Sequence, residues 1–211
     1  IYVAVDELWP GGEDLVARRL AACSPGDDEL GRLIHSFPEH AMLIDLETCG
    51  LAGAPLFLIG TLRTIGGRLT VELLLARDYS EEGAVLTTLW QQMSDETVLA
   101  TYNGKSFDWP MIADRTARHL LFVGGRPPTP LHVDLLHHAR RRWKQTLPNC
   151  KLQTLETQIC GRRRSGDLPG AEIPAAYERY VRTGRTTEID AILMHNAIDL
   201  ITLLDVAVRL A

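Results

Sequence analysis

Hydrophobic positions fall into short runs in the first half of the chain and into helical spacing in much of the second. Residues 41–48 (Ala-Met-Leu-Ile-Asp-Leu-Glu-Thr) read as a strand. Two more β-rich runs, 56–65 and 68–76, are separated by Gly66-Gly67, a hairpin signal. Ser80-Glu81-Glu82 opens a helix through about Met93, and 97–102 is a fourth short strand. Asn103-Gly104 breaks that strand, and a helix follows over about 106–121. After a loop at 124–130, residues 131–135 form another short strand, and a helix continues to about Lys144. Pro148 interrupts the pattern. A short helix at 152–160 leads into a basic, glycine-containing loop at 161–170. Residues 174–183 form a helix with proline in its first turn, and Thr186 or Thr187 caps a long final helix to Leu210. This order predicts an α/β fold: a mixed sheet, with a three-stranded antiparallel meander plus parallel strands, flanked by helices.

Residues 1–40 carry a weaker pattern. Ile1 to Val5 reads as a short strand, Trp9-Pro10-Gly11-Gly12 as a turn, Glu13 to Cys23 as a helix ended at 24–28, and 29–35 as one or two helical turns. They form an N-terminal extension packed on the main domain at 41–211.

Composition adds a few bounds. The chain has 211 residues, 45% hydrophobic and 23% charged, which suits a folded domain. Its net charge of -5 argues mildly against nucleic-acid binding, although carboxylates that hold metals contribute to that figure. No run of 18 or more apolar residues occurs, so no membrane span is expected. Cys23, Cys49, Cys150 and Cys160 lack C-x-x-C spacing, which predicts reduced thiols in the cytoplasm. The start at Ile1 leaves room for a partner domain beyond this chain.

Candidate chemistry begins in the first strong strand. Residues two apart on a strand share a face, so Asp45 and Glu47 project side by side. Two such carboxylates are costly without a positive partner, and a Mg²⁺ or Mn²⁺ ion with its preference for oxygen ligands is the usual one. Asp108 falls in the first turn of a helix, where capping alone also favours Asp. His195 and Asp199 stand four apart on the last helix and face the same way, as a site pair or as a buried structural pair. Asp134 reads as a helix cap or as support for the site.

Asp45-x-Glu47, Asn103-x-x-x-Phe107-Asp108 and His195-x-x-x-Asp199, in that order, resemble the DEDD (DnaQ-like) exonuclease superfamily. Leu131-His132-Val133-Asp134-Leu135-Leu136, Leu152-Gln153-Thr154-Leu155-Glu156 and His195-Asn196-x-x-Asp199 are most similar to its YprB-like ribonuclease H-like branch. The resemblance covers about Ala41 to Leu210. It implies a ribonuclease H-like fold and two divalent ions, Mg²⁺ or Mn²⁺, held by Asp45, Glu47, Asp108 and Asp199. It also implies a 3′–5′ exonuclease acting on DNA or RNA, as a single strand or at a 3′ end. His195 is the candidate general base. It stands four residues before the last Asp, the spacing used by Tyr in the superfamily, and Met194 stands where His would.

The chemistry fits independently: in-line attack at a phosphodiester is helped by two divalent ions about 4 Å apart. Imidazole titrates near neutrality and suits proton transfer. Thr48, Asn103, Lys105 and Phe107 are candidate contacts to sugar, phosphate or base. Arg140-Arg141-Arg142-Trp143-Lys144 and Arg162-Arg163-Arg164 offer phosphate contacts and an aromatic to stack on a base, or else are a solvated face and an ordinary loop. His137-His138 reads as surface or core histidines. The alternatives are a catalytically weak nucleic-acid-binding module of a larger protein and an RNase H-like or structure-selective endonuclease.

Overall fold

The computed structural model describes residues 1–24, 26–50, 53–164 and 166–211. Pro25 of the expected 24–28 turn, Leu51 and Ala52 after the first strong strand, and Ser165 of the basic loop lie outside the described residues. The chain runs β1 (Tyr2–Ala4), α1 (Val5–Leu8), α2 (Gly12–Ala22), α3 (Glu29–His35), β2 (Ala41–Thr48), β3 (Leu56–Ile65) and β4 (Arg68–Leu75). It continues through α4 (Glu82–Gln91), β5 (Val98–Thr101), α5 (Asp108–Arg118), β6 (Leu131–Asp134) and α6 (Leu135–Trp143). The last elements are α7 (Leu152–Gln158), α8 (Ile173–Thr183) and α9 (Thr187–Leu210).

Among the described residues six strands form one mixed sheet in the order β1-β4-β3-β2-β5-β6. β2, β3 and β4 are the antiparallel meander, and β5 and β6 add parallel to β2. Gly66 and Gly67 close the β3–β4 hairpin with φ of 58° and 81°, the positive pair that a tight two-residue turn demands. At the far edge β1 pairs antiparallel with β4, from Tyr2 opposite Glu72 to Ala4 opposite Thr70. The first residues thus extend the sheet itself.

β2 sits centrally because its sequence can be buried there. Met42, Leu43 and Ile44 are at most 3% exposed, and each such side chain contributes about 1.5–3 kcal/mol by leaving water. α9 packs over β2, β3 and β4 and also touches α6, α7 and α8. In length and apolarity it matches a membrane span, but 72% of its apolar window is buried inside the protein. One glycine sets how closely it lies on the sheet. A Cβ on Gly60 would stand 1.8 Å from Asn196 Oδ1 and 2.8 Å from Leu200 Cδ1. Close helix approach is what a glycine inside a strand permits.

Several local expectations change. Thr186 occupies the cap position of α9, but its hydroxyl accepts no helix N–H. Trp143 is buried in a small cluster with Ala139, Leu155 and Val206, so it is not available to stack on a base. Its apolar ring fills a gap between α6, α7 and α9. His137 is exposed, and His138 is buried beside Arg141, 2.9 Å away.

Candidate active site

The site is built around the exposed end of β2. Parallel pairing with β5 runs from Ala41 opposite Val98 to Leu43 opposite Ala100 and stops there. The rest of β2 therefore extends past the last β5 pairing. On its other side Asp45 lies opposite Gly60 and Glu47 opposite Leu58, with a register shift between Glu47 and Thr48. Such irregularities cluster near functional sites because they re-aim side chains. β2 is also where the antiparallel meander meets the parallel strands. Crevices beyond the carboxyl ends of parallel strands at such a switch are where α/β sheets take ligands.

The chain leaving β5 brings Asp108 to the same end of the sheet, as the first residue of α5. The connecting turn is tied down by Asp134. Its carboxylate accepts the Asn103 N–H at 2.8 Å, the Lys105 N–H at 3.1 Å and the Leu136 N–H at 3.0 Å. Asp134 thus caps α6 and holds the 103–105 turn at once. Asn103 takes a left-handed φ of 67°, a conformation that Asn tolerates better than most residues.

α9 supplies the third side. Asn196 Nδ2 donates to Asp45 Oδ2 at 2.7 Å. Three residues on, Asp199 lies on the same helix face. His195 Nε2 lies 3.5 Å from Asp199 Oδ2, and His195 Nδ1 lies 2.7 Å from Asp167 Oδ1. A carboxylate can only accept, so Nδ1 carries a hydrogen and Nε2 faces the site. The other oxygen of Asp199 accepts from Arg164 Nη2. Arg164 comes from the basic loop and also binds Glu156, with Nε 2.7 Å from Oε2.

The electrostatics are strained in one direction. Burial pushes the Asp45 carboxyl well up, and Asp199, Glu47 and Asp108 push it further, while Arg164 works against them. Burial, then the charge of Asp199, raises Glu47 from 4.5 to about 8. Burial raises Asp108 from 3.8 to about 7; the backbone offsets part of this and Asp134 adds to it. Asp199 is also raised by burial, with Arg164 and His195 offsetting part of it. The four carboxylates named from the sequence therefore share one cleft closely enough for their charges to interact.

The donor set suits a hard divalent cation: buried carboxylate oxygens beside an Asn196 Oδ1 that is buried without a partner. Among the described residues no three His, Cys, Asp or Glu side chains are gathered at metal-holding spacing. Arg164 holds one oxygen of Asp199, and Asn196 holds one of Asp45.

Comparison with known proteins gives the family. The sequence family described as RNase_H superfamily matches residues 42–211. The chain belongs to the RNase_H superfamily. The "Uncharacterized protein YprB" of Bacillus subtilis (strain 168) is 35% identical over 172 residues, covering 79% of this chain and 41% of the relative. The chain thus spans less than half the length of that relative. Membership supports nuclease-type chemistry on nucleic acid.

Cavities flank the carboxylates in this RNase_H superfamily member. One of about 690 Å³ is lined by Leu46, Thr48, Phe107, Asp108 and Met111. Phe107 is 62% exposed at its wall, while the Thr48 hydroxyl donates to Gly50 O at 2.6 Å and is spent on a local turn. Lys105 Nζ pairs with Glu29 at 3.3 Å, and Asn103 spends its N–H on Asp134. A second cavity, of about 410 Å³, is lined by Arg162, Arg163, Arg164, Asp167, Met194 and His195. Two of these arginines are internally neutralised rather than free for phosphate. Arg162 binds Asp205 at 2.9 Å and stacks 4.9 Å over Trp9, and Arg164 holds the acidic residues named above. The sequence pattern does not single out Asp167; it names Asn196 only within the His195-Asn196-x-x-Asp199 motif and Arg164 only as a phosphate contact, neither as a partner of the site carboxylates. Asn196 carried a signal, its place one turn before Asp199 on the same face; Asp167, in an irregular loop, carried none.

Proposed function

We propose that this chain is a metal-dependent 3′–5′ exonuclease hydrolysing the phosphodiester bonds of DNA or RNA. The observation that carries the reading is the meeting of Asp45, Glu47, Asp108 and Asp199, from one strand and two helices, in one cleft where all four carboxyls are raised. Asp45, Glu47 and Asp199 would hold one Mg²⁺ or Mn²⁺, and Asp108 would help place a second. When bound, two such ions clamp the attacking and leaving oxygens of an in-line displacement at phosphorus.

The chain's own residues do the rest. His195 Nε2 takes a proton from the attacking water as the new P–O bond forms and the P–O3′ bond breaks. Asp167 holds Nδ1 so that Nε2 keeps its lone pair toward the cleft, the orienting role a carboxylate plays behind a catalytic His. Asn196 fixes the rotamer of Asp45. The 690 Å³ cavity, with exposed Phe107 and apolar Leu46, offers a stacking surface for a base at the strand end.

Incubation with Mn²⁺ and end-labelled single strands of DNA and RNA tests this. A mononucleotide ladder from the 3′ end that disappears in Asp45→Asn supports the proposal. Binding of strands without cleavage would sink it in favour of a catalytically weak binding module, the reading that the Arg164–Asp199 contact favours. Internal cuts would point to an endonuclease.

A further inference from the structure

Arg164 is 12% exposed and touches three carboxylates, one in its own loop and two on separate helices. Glu156 on α7, itself 2% exposed, takes the guanidinium at 2.5 Å from Nη2. Asp167 stands 3.5 Å from Nη1 in the same loop, and Asp199 on α9 takes Nη2 as well. Burial disfavours the charge on Arg164, but Glu156 and Asp199 more than offset this. One oxygen of Asp199 is engaged by Arg164, and the other lies 3.5 Å from His195 Nε2. A guanidinium at contact distance on that oxygen opposes a metal ion there, because two cations would be brought close together.

We propose that Arg164 is a resident counter-cation that neutralises Asp199 until a divalent ion displaces it. This rests on the metal-dependent reading above. Glu156 provides the tether: it holds the guanidinium beside the cleft after release, so the exchange needs movement of one side chain and its loop rather than unfolding. Metal and Arg164 then compete for one oxygen, and Arg164 restrains Asp199 in the metal-free protein.

Isothermal titration of Mn²⁺ into the wild type, Arg164→Gln, Arg164→Lys and Asp199→Asn reads this directly. Losing one charge-assisted hydrogen bond that opposes metal binding should tighten Mn²⁺ binding in Arg164→Gln by about ten-fold. Arg164→Lys, which keeps the charge but not the planar fork, should fall between. A merely structural arginine would predict the reverse, weaker binding in a loosened site. Wild-type binding that Asp199→Asn abolishes, together with unchanged or weaker binding in Arg164→Gln, overturns the exchange and leaves the metal reading intact. No Mn²⁺ binding by any variant overturns both. Hydrogen exchange on the unmodified protein needs no variant to fold. Mn²⁺ should slow exchange along β2 and speed it at the Arg162 N–H, now bonded to Glu156 O at 3.0 Å. Slowing at β2 with no change at 162–164 also overturns the exchange.

Discussion

Replacing Glu47 by Gln should stabilise the metal-free protein, by an amount that grows with pH. In the fold the Glu47 carboxyl is pushed from 4.5 up to about 8, first by burial and then by the charge of Asp199. A raised carboxyl binds its proton more tightly in the folded state than in the unfolded one. Stability is therefore undiminished below the unfolded value, near 4.5, and is lost as pH rises to about 8. Each ten-fold in that equilibrium is about 1.4 kcal/mol, which sets a ceiling near 5 kcal/mol. The side chain is only partly buried, and Asp45, Asp108 and Asp199 relax together when one charge is removed. A gain of about 1–2 kcal/mol is therefore the expected size. Gln keeps the shape and removes the charge. Urea unfolding in the presence of a chelator, at about pH 4 and about pH 9, measures it. The variant should match the wild type at the lower pH and exceed it at the higher, and added Mn²⁺ should reverse the order by stabilising the wild type alone. A variant equally destabilised at both pH values would show that Glu47 is not charge-frustrated, and the electrostatic argument for a metal site would fall with it.

The same carboxylates make metal binding release protons. With Glu47 raised to about 8, Asp108 to about 7 and Asp45 raised well above its ordinary value, uptake of Mn²⁺ near neutral pH should release more than one proton. Titrations in buffers of different ionisation enthalpy would count them, and no buffer dependence would refute this. Gly60→Ala should cost about 2–3 kcal/mol in thermal unfolding, since its Cβ would stand 1.8 Å from Asn196 Oδ1, and should weaken metal binding by shifting Asn196 off Asp45. Asp167→Ala should lower turnover about ten- to a hundred-fold with little loss of stability, because the His195 ring loses the acceptor that orients it. Glu82→Ala serves as a contrast away from the site. It leaves Arg115 and His119 facing a buried gap and removes the acceptor of the Leu56 N–H, so it should cost about 3–5 kcal/mol. Its Mn²⁺ affinity, measured below the melting point, should stay at the wild-type level.

Much of the fold was legible because its signals are local. The apolar run at 41–48, the Gly66-Gly67 turn and the alternation of strand and helix after residue 80 each depend on a few neighbouring residues, and the observed elements match to within a few residues. The same holds for pairs inside one element. Asp45 with Glu47, two apart on a strand, and His195 with Asp199, four apart on a helix, follow from the periods of the backbone. Helix caps were less legible, as at Thr186, because Ser and Thr at a cap position have other partners to choose from.

What the sequence by itself determined was a set of carboxylates, in order, on elements of known type. That those carboxylates share one cleft was decided by tertiary structure. β5 stops pairing at Ala100 and leaves the end of β2 open, and Gly60 lets α9 lie close enough for Asn196 to reach Asp45. The fate of the arginines was decided there too. Arg162 and Arg164 look alike in a basic run, yet one is held by Asp205 and Trp9 and the other by Asp199, Glu156 and Asp167. A charge run carries no record of which carboxylates, from three to more than forty residues away in the chain, the fold will bring against it. Coulomb interaction depends on separation in space, and only the packed chain sets that separation.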